Sequence, residues 1–369
     1  MRSGIRAGRA AHFLDSGELA DSPPNDALVR TYFEAGLDVD LYAPAGSRIL
    51  HSYGESASTH TAEFGFRWLA RNALRPGWGR YAIFSATAED PLAVAGCLAR
   101  AHRRPFIALV DEIKTGSYSG NRTARWKRLC QWAIRTADLR IVNDEVRIEL
   151  LRQYADLTPA ARTLVYPGGY VNPPAACDRT AQRQAWSVTE DAVVIGFSGG
   201  FNLTAGVHWL LDTVRLRESL HAVVQPLGID DLVRDLLSRL EPRDRFHFSE
   251  KRLTWAEAWS QAAAIDIGVA VYLNEAPQFQ AMGVSSNRLC MFLAMGVPVI
   301  TSVQDSFRFV LDYDCGRMVR NQEEFLAAVD EISVRREAMS ANARRCWNEY
   351  VATERRYSEL AGAVRALLK

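Results

Sequence analysis

Short apolar runs alternate with amphipathic stretches along almost the whole chain, and this alternation is its main structural signal. Residues 9–14 read as an opening strand, though a weak one. Residues 26–35 have helical spacing and end at Gly36, a residue suited to the position just past a helix C-terminus. Residues 38–43 follow as a strand closed by Pro44. The apolar run 81–85 precedes an alanine-rich helix over about 91–101, where Pro91 is tolerated in the first turn. Residues 105–110 are continuously apolar, as a strand covered on both faces must be. A helix over 123–136, a strand over 139–142, a helix over 145–154 and a strand over 164–166 extend the alternation to Pro167-Gly168-Gly169.

Residues 170–178 contain Pro173 and Pro174 and no periodicity, which predicts a linker. A second series follows it. Strands are predicted at 192–197, 221–225, 246–248, 265–271 and 297–301, with helices at 205–217, 230–240, 255–264 and 287–295 and a loop at Gly199-Gly200. Residues 335–369 read as helical and charged. Strand–helix–strand alternation implies parallel sheets with helices on both faces. Two such series flanking one linker predict an α/β protein of two Rossmann-like domains, 1–170 and 178–345, with parallel sheets facing an interdomain cleft. Ligands of such sheets bind beyond the carboxyl ends of the strands, so the residues just after each strand carry the functional interest.

Composition narrows the classes. The 369 residues exceed what a single hydrophobic core usually supports. The 44 Lys+Arg against 43 Asp+Glu, a net charge of +1, remove the electrostatic case for a nucleic-acid binder. Abundant aromatic and aliphatic residues exclude intrinsic disorder. No stretch approaches the roughly 20 apolar residues of a membrane span, and the basic N-terminus lacks the apolar run of a secretory signal, so a cytoplasmic location is expected. Six scattered cysteines read as reduced, partly buried thiols. Neither they nor the seven dispersed histidines pair at metal-ligand spacing, so no metal or bound cofactor is expected.

Several constellations carry candidate chemistry. Gly196-Phe-Ser-Gly199-Gly200 turns toward a phosphate at a helix N-terminus, or is equally a tight turn without a ligand. In the segment 283–300, Ser285, Ser286 or Asn287 can cap a helix that Gly296 ends, and Arg288 adds a cation beside the helix start. An ordinary capped helix has the same local pattern. Asp111 and Glu112 directly follow the strand at 105–110, where a carboxylate can orient or deprotonate a hydroxyl or simply cap a helix. Glu89-Asp90 form a second acidic pair, and Asn143-Asp144-Glu145 more simply cap the next helix. Between 121 and 140 lie Arg122, Arg125, Lys127, Arg128, Arg135 and Arg140 with Trp126 and Trp132 interleaved. A solvated helix face is the plainer reading of this segment, and peripheral contact with an anionic membrane the alternative. His208 starts the helix after Gly199-Gly200, where it could see a ligand.

The segment 283–300 resembles the "S-x-x-K-L-x-E-Y-M-A-x-G-x-P-V-I" signature of GT-B glycosyltransferases, particularly glycosyltransferase family 4. Other pieces fall in the family's order along nearly the whole chain. Thr136-Ala-Asp-Leu-Arg-Ile-Val-Asn143 resembles "A-D-x-V-I-x-x-S", Val165-Tyr-Pro-Gly-Gly169 resembles "V-I-P-N-G", and Ala263-Ala-Ile-Asp-Ile-Gly-Val-Ala270 resembles "A-D-I-G-L-x-P". The resemblance implies a metal-independent, hexosyltransferase-like enzyme. A nucleotide-sugar donor would lie mainly on the second domain and an acceptor small molecule or glycan on the first. It also implies a terminal helix, about 346–369, crossing back to the first domain, and retention of anomeric configuration.

The departures from the family are specific. Its two signature glutamates correspond to Gly283 and Met291, and its pyrophosphate-binding Arg and Lys to Gly200 and Ala205. Asp111 stands where many members have the histidine of "H-D". Lys251, Arg252 and Arg288 are the candidate replacement cations, beside Gly199, Gly200, Ser285, Ser286 and Asn287 as donor-site residues, with Asp111 or Glu112 on the acceptor side. Two other readings stay open on this sequence: a GT-B binding or partner subunit that has lost its chemistry, and a nucleotide-sugar epimerase on the same fold.

Overall fold

Four-residue strands in which every side chain is buried, such as Leu139–Val142 and Ile267–Ala270, form only where helices cover both faces of a sheet. The structure, a computed structural model, describes residues 8–15, 22–45, 53, 56–113, 123–171, 173, 177–229, 231–239, 243–248 and 253–369. The chain divides into two compact units, Met1–Val171 with Thr353–Lys369, and Asn172–Ala352.

The first unit runs β1 (Gly8–Phe13), α1 (Pro23–Glu34), β2 (Leu37–Ala43), β3 (Ala57–Thr61), α2 (Phe66–Asn72), β4 (Tyr81–Thr87), α3 (Glu89–Ala101), β5 (Phe106–Leu109), α4 (Ala124–Thr136), β6 (Leu139–Val142), α5 (Val146–Ala155) and β7 (Thr163–Val165). Its sheet is parallel throughout, in the order β3-β2-β1-β4-β5-β6-β7. Because side chains alternate along a strand, one face packs Phe13, Phe84 and Ala108 against α3 and α4, where Gly96 admits Ala133 to within 2.6 Å of where a Cβ would stand. The other face packs Ile83, Leu109 and Ile141 against α1.

The second unit runs α6 (Arg179–Ala185), β8 (Val193–Phe201), α7 (Val207–Leu216), β9 (Leu220–Ile229), α8 (Asp231–Ser238), β10 (Phe246–Phe248), α9 (Trp255–Ala264), β11 (Ile267–Ala270), α10 (Asn287–Ala294), β12 (Val299–Ser302), α11 (Arg308–Asp312), β13 (Gly316–Val319), α12 (Gln322–Val334) and α13 (Arg336–Cys346). Its parallel order, β10-β9-β8-β11-β12-β13, is the 3-2-1-4-5-6 winding of a dinucleotide-binding sheet. The strand order of each sheet reverses once, between β1 and β4 in the first and between β8 and β11 in the second, and such reversals open a crevice at the carboxyl edge.

A π-helical turn, Trp347–Val351, and Ala352 at φ +46° interrupt the helix expected over the charged tail. Beyond them α14 (Thr353–Leu367) belongs to the first unit, where Leu360, Ala363 and Val364 are buried among Leu28 and Tyr32.

The alternation placed most elements and missed six: β3, α2, α6, α11, β13 and α12. Gly199-Gly200 is not a loop. The two glycines lie inside β8, paired with β9 across an irregularity between them, and the following helix starts at Val207 rather than Ala205. Gly199 takes φ +114°, which lets the strand continue through a kink that an L side chain would resist. Among the described residues no helix is long and apolar enough to cross a membrane. All six cysteines are free thiols, four of them buried.

Candidate functional site

In the second unit the carboxyl ends of β8 and β11 are joined by one side chain. Arg288, in the first turn of α10, lays its guanidinium 4.5 Å from the centre of the Phe197 ring and 4.6 Å from that of Tyr272. Two aromatic faces hold a cation in this way by their ring quadrupoles. Its Nη1 donates to the Ser198 carbonyl at 3.1 Å, and its Nε donates to the Tyr272 hydroxyl at 3.1 Å. That hydroxyl also shares a hydrogen bond of 2.6 Å with Ser286 Oγ. The nearest atom to the place where a Gly199 side chain would stand is Arg288 Nη1, at 3.8 Å.

Helix α10 is built as its sequence requires. Ser286 is the N-cap, its Oγ accepting from the Leu289 amide, and Gly296 follows the helix at φ +72°. A capped helix start leaves other first-turn amides for an anion, and Arg288 adds full positive charge beside them. Ser286 is buried, Arg288 half-buried and Asn287 exposed. Ser285 is turned away, its hydroxyl donating to the Met282 carbonyl within the short turn Gly283–Ser285. Thus Gly199, Ser286 and Arg288 are brought together. Gly200 is exposed one residue further along β8. Lys251 and Arg252 lie outside the described residues.

Tyr272 and Phe197 were not among the residues singled out from the sequence. The rule that ligands gather just past each strand points to Tyr272, which follows β11 by two residues. Phe197 looks like ordinary core until Arg288 is placed on it.

In the first unit the corresponding edge is acidic. Asp111 follows β5, and its carboxyl titrates at about 6 because burial, then the negative charges of Glu112 and Asp15, disfavour ionisation. Thr87, at the end of β4, sits against this carboxyl and favours the charged form without closing a full hydrogen bond. Arg147 in α5 donates to the Asp111 backbone carbonyl and fixes that turn. Glu112 is exposed beside it. Behind the edge His12 bridges Ser85 (Nδ1···Oγ 2.8 Å) and Asn25 (Nε2···Oδ1 3.0 Å). Complete burial lowers its pKa to about 4, so the ring is neutral at physiological pH.

Other expectations resolve differently. Glu89 accepts from the Tyr154 hydroxyl at 2.8 Å and Asp90 from the Trp126 indole at 2.6 Å, so this pair serves packing. In the run Asn143-Asp144-Glu145 the capping side chain is Asp144, which accepts from the Val146 amide at 2.9 Å. Arg140 does not join a basic face. It is buried in β6 and donates to the carbonyls of Ile134 and Arg135. Trp126 is buried, and Arg135 pairs with Asp156 at 3.3 Å. His208 is half-buried near the start of α7, with Nδ1 unpartnered among the described residues. Among those residues no group of three or more His, Cys, Asp or Glu could hold a metal ion.

Two parallel Rossmann-like units with these strand orders define the GT-B class, and solved structures agree along the whole length. HepE from Anabaena, solved in complex with UDP, is 15% identical with a TM-score of 0.75, covering 97% of this chain and 100% of that one. Sucrose-phosphate synthase from Thermosynechococcus elongatus is 14% identical with a TM-score of 0.73, covering 97% and 99%. A glycosyltransferase from Rickettsia africae is 8% identical with a TM-score of 0.69, covering 97% and 99%. The chain has the GT-B fold. At these identities the likeness fixes the fold alone, and no family model and no curated protein sequence matches the chain.

Proposed function

We propose that this chain is a glycosyltransferase that takes its sugar from a uridine diphosphate sugar. The observation that carries the reading is Arg288, clamped between Phe197 and Tyr272 beside the kinked Gly199 at the strand-order reversal of the second sheet. A fixed cation there suits a diphosphate, because a guanidinium already held in place loses little freedom when it binds a phosphate fork. It stands in for the Arg and Lys that resembling proteins place at the positions of Gly200 and Ala205. HepE, which shares the fold, has been solved with UDP and with UDP-glucose, and this supports uridine as the base.

On the first unit Asp111 takes the acceptor side. A carboxyl that titrates near 6 is mostly ionised at neutral pH yet more basic than an ordinary carboxylate, as a base for a hydroxyl must be. The acceptor oxygen would bond to the anomeric carbon on the same face from which the UDP oxygen departs, the bond to UDP breaking ahead of the new one, so that configuration is kept. The hydroxyl proton passes to Asp111, and UDP leaves against Arg288. Retention of configuration and independence from metal ions follow from the resemblance to family 4. Proton NMR of the product and activity in EDTA test them. The α4 face reads as solvated surface, since Arg135 is paired and Arg140 is turned inward.

Calorimetric titration with UDP, and with GDP, ADP and dTDP as controls, tests the donor assignment. UDP is expected to bind at micromolar to millimolar concentration, and Arg288→Ala to weaken it at least tenfold. No binding of any nucleotide at millimolar concentration would overturn the assignment. Binding with no turnover of UDP-sugars would favour the partner-subunit reading.

A further inference from the structure

Three polar side chains gather at the carboxyl ends of β4, β5 and β6, which are neighbours in the first sheet. Thr87 ends β4 and pairs in register with Leu109 of β5, which in turn pairs with Ile141 of β6. Leu109 and Ile141 both point to the α1 face, and so does Ile83, four residues before Thr87. Asp111 and Asn143 each follow the paired Leu109 and Ile141 by two residues, just past the ends of β5 and β6, and Thr87 stands one step back on the neighbouring strand, against the Asp111 carboxyl. Thr87 is 3% exposed and Asn143 6%, yet Thr87 Oγ1 and Asn143 Oδ1 have no hydrogen-bond partner among the described residues. Asp144 caps the next helix, so Asn143 is not needed for that purpose. An unpartnered amide oxygen at such depth is a standing penalty unless something that comes and goes satisfies it.

We propose that Thr87, Asp111 and Asn143 form a hydroxyl-binding subsite that takes a pair of neighbouring hydroxyls of a neutral polyol or sugar. The inference rests on the reading of Asp111 as the acceptor-side group and names the chemistry of that acceptor. Asn143 Oδ1 accepts from one hydroxyl and the Asp111 carboxylate from the next, while the Thr87 hydroxyl is free to donate to the ligand or to Asp111. Two oxygen acceptors side by side select a donor of hydrogen bonds. Asp15, Asp111 and Glu112 together repel a phosphate or carboxylate placed there. The group that this edge presents for glycosylation is thus an uncharged, hydroxyl-rich end, whatever is attached beyond it.

The test combines stability with binding. Asn143→Leu keeps the volume and removes the unpartnered oxygen, so its melting temperature is expected to rise by about 2–4 °C. A fall would show that Asn143 holds the fold together, and would overturn the proposal. Saturation-transfer NMR with the methyl glycosides of glucose, galactose, mannose and N-acetylglucosamine, each against glucose 6-phosphate and glucuronate, tests the ligand class. At least one neutral glycoside is expected to bind, to lose at least tenfold in Asn143→Leu, and to outcompete both anionic sugars. Absence of any neutral binder, equal binding of the anions, or unchanged binding in the variant would each overturn it. UDP affinity is measured in the same samples and is expected to stay unchanged in Asn143→Leu. Loss of UDP binding by the wild type would sink the donor assignment and leave this subsite to be decided by the glycosides.

Discussion

Arg183 donates to Asp266 at 3.0 Å, and the two residues are 0% and 3% exposed. Asp266 also accepts from Arg179 at 2.6 Å, from Arg336 at 3.1 Å and from the Val194 amide at 2.8 Å. Arg183 Nη1 also donates to the Ala264 carbonyl, and its Nη2 to those of Thr189 and Ala192. A single carboxylate thus ties α6, β8 and α13 to the start of β11, and it is the aspartate of the "A-D-I-G" resemblance. Asp266→Asn leaves a buried guanidinium short of its counter-charge and should destabilise the second unit by about 3–5 kcal/mol. Urea unfolding followed by circular dichroism checks this, and a loss below 1 kcal/mol would show the network to be dispensable.

The glycines of Gly196-Phe-Ser-Gly199-Gly200 have separate jobs. A Cβ on Gly196 would run into the Ile265 side chain, whereas one on Gly199 would meet nothing nearer than Arg288 Nη1 at 3.8 Å, and Gly199 is constrained by its φ of +114°. Gly196→Ala should lower stability by about 1–3 kcal/mol and leave UDP affinity alone. Gly199→Ala should cost about 1 kcal/mol through the backbone and weaken UDP binding. Paired melting and calorimetry separate them, and identical behaviour of the two variants would contradict the assignment.

Tyr272 keeps Arg288 aligned through its hydroxyl as well as its ring. Tyr272→Phe retains the ring and removes one charge-assisted hydrogen bond, so UDP should bind about 3- to 10-fold more weakly with little change in melting temperature. The same titration on Tyr272→Ala should show a larger loss, since the cation–π contact goes too. Wild-type affinity in both variants would remove Tyr272 from the site.

With its carboxyl near 6, Asp111 must lose its proton before it can accept one. Transfer is therefore expected to rise with pH through about 6 and then level off. Asp111→Asn should lower transfer by about 100-fold or more and flatten that limb. The sign for stability is the reverse. A carboxyl whose pKa is raised by folding opposes the fold once ionised, so Asp111→Asn should melt higher than wild type at pH 8. A variant that is both inactive and less stable at pH 8 would point to a structural role instead.

His12 carries the opposite linkage. Its folded pKa, about 4, is below the ordinary 6.5, so the unfolded chain binds the extra proton between those values. The neutral ring's contribution is complete above about pH 6.5 and is lost as pH falls toward 4, with a slope of at most about 1.4 kcal/mol per pH unit. Denaturant titrations at half-unit steps should show His12→Gln less sensitive to acid over this window than wild type. Equal slopes would place the proton elsewhere.

Much of the architecture is written in the spacing of apolar residues. β6, β10 and α9 fall on the residues that the pattern indicates, because short runs of large apolar residues set between polar stretches and a Thr254–Glu257 capping box leave little choice. The missed elements lack that signal for definite reasons. β3 is a half-exposed edge strand of Ala, Ser, Thr and His, and α2 buries none of its residues. Gly199-Gly200 reads as a turn because glycines usually break strands, and only pairing with β9 shows that β8 continues. Asp111 was legible from its place after a strand. The choice between Asn143 and Asp144 as helix cap was not, since it turns on which side chain points along the helix axis.

The first unit is sealed by residues that are distant in the chain. α14 buries Leu360, Ala363 and Val364 against α1, and Tyr357 donates to Glu34 at 2.6 Å. Cutting the chain after Ala352 would therefore strip one wall from a core more than 300 positions upstream and spare the segment adjoining the cut. Proteolysis at the Trp347–Val351 turn would be read out as exposed aliphatic surface in the N-terminal half. In this molecule nearness in sequence is a poor guide to which part a truncation damages.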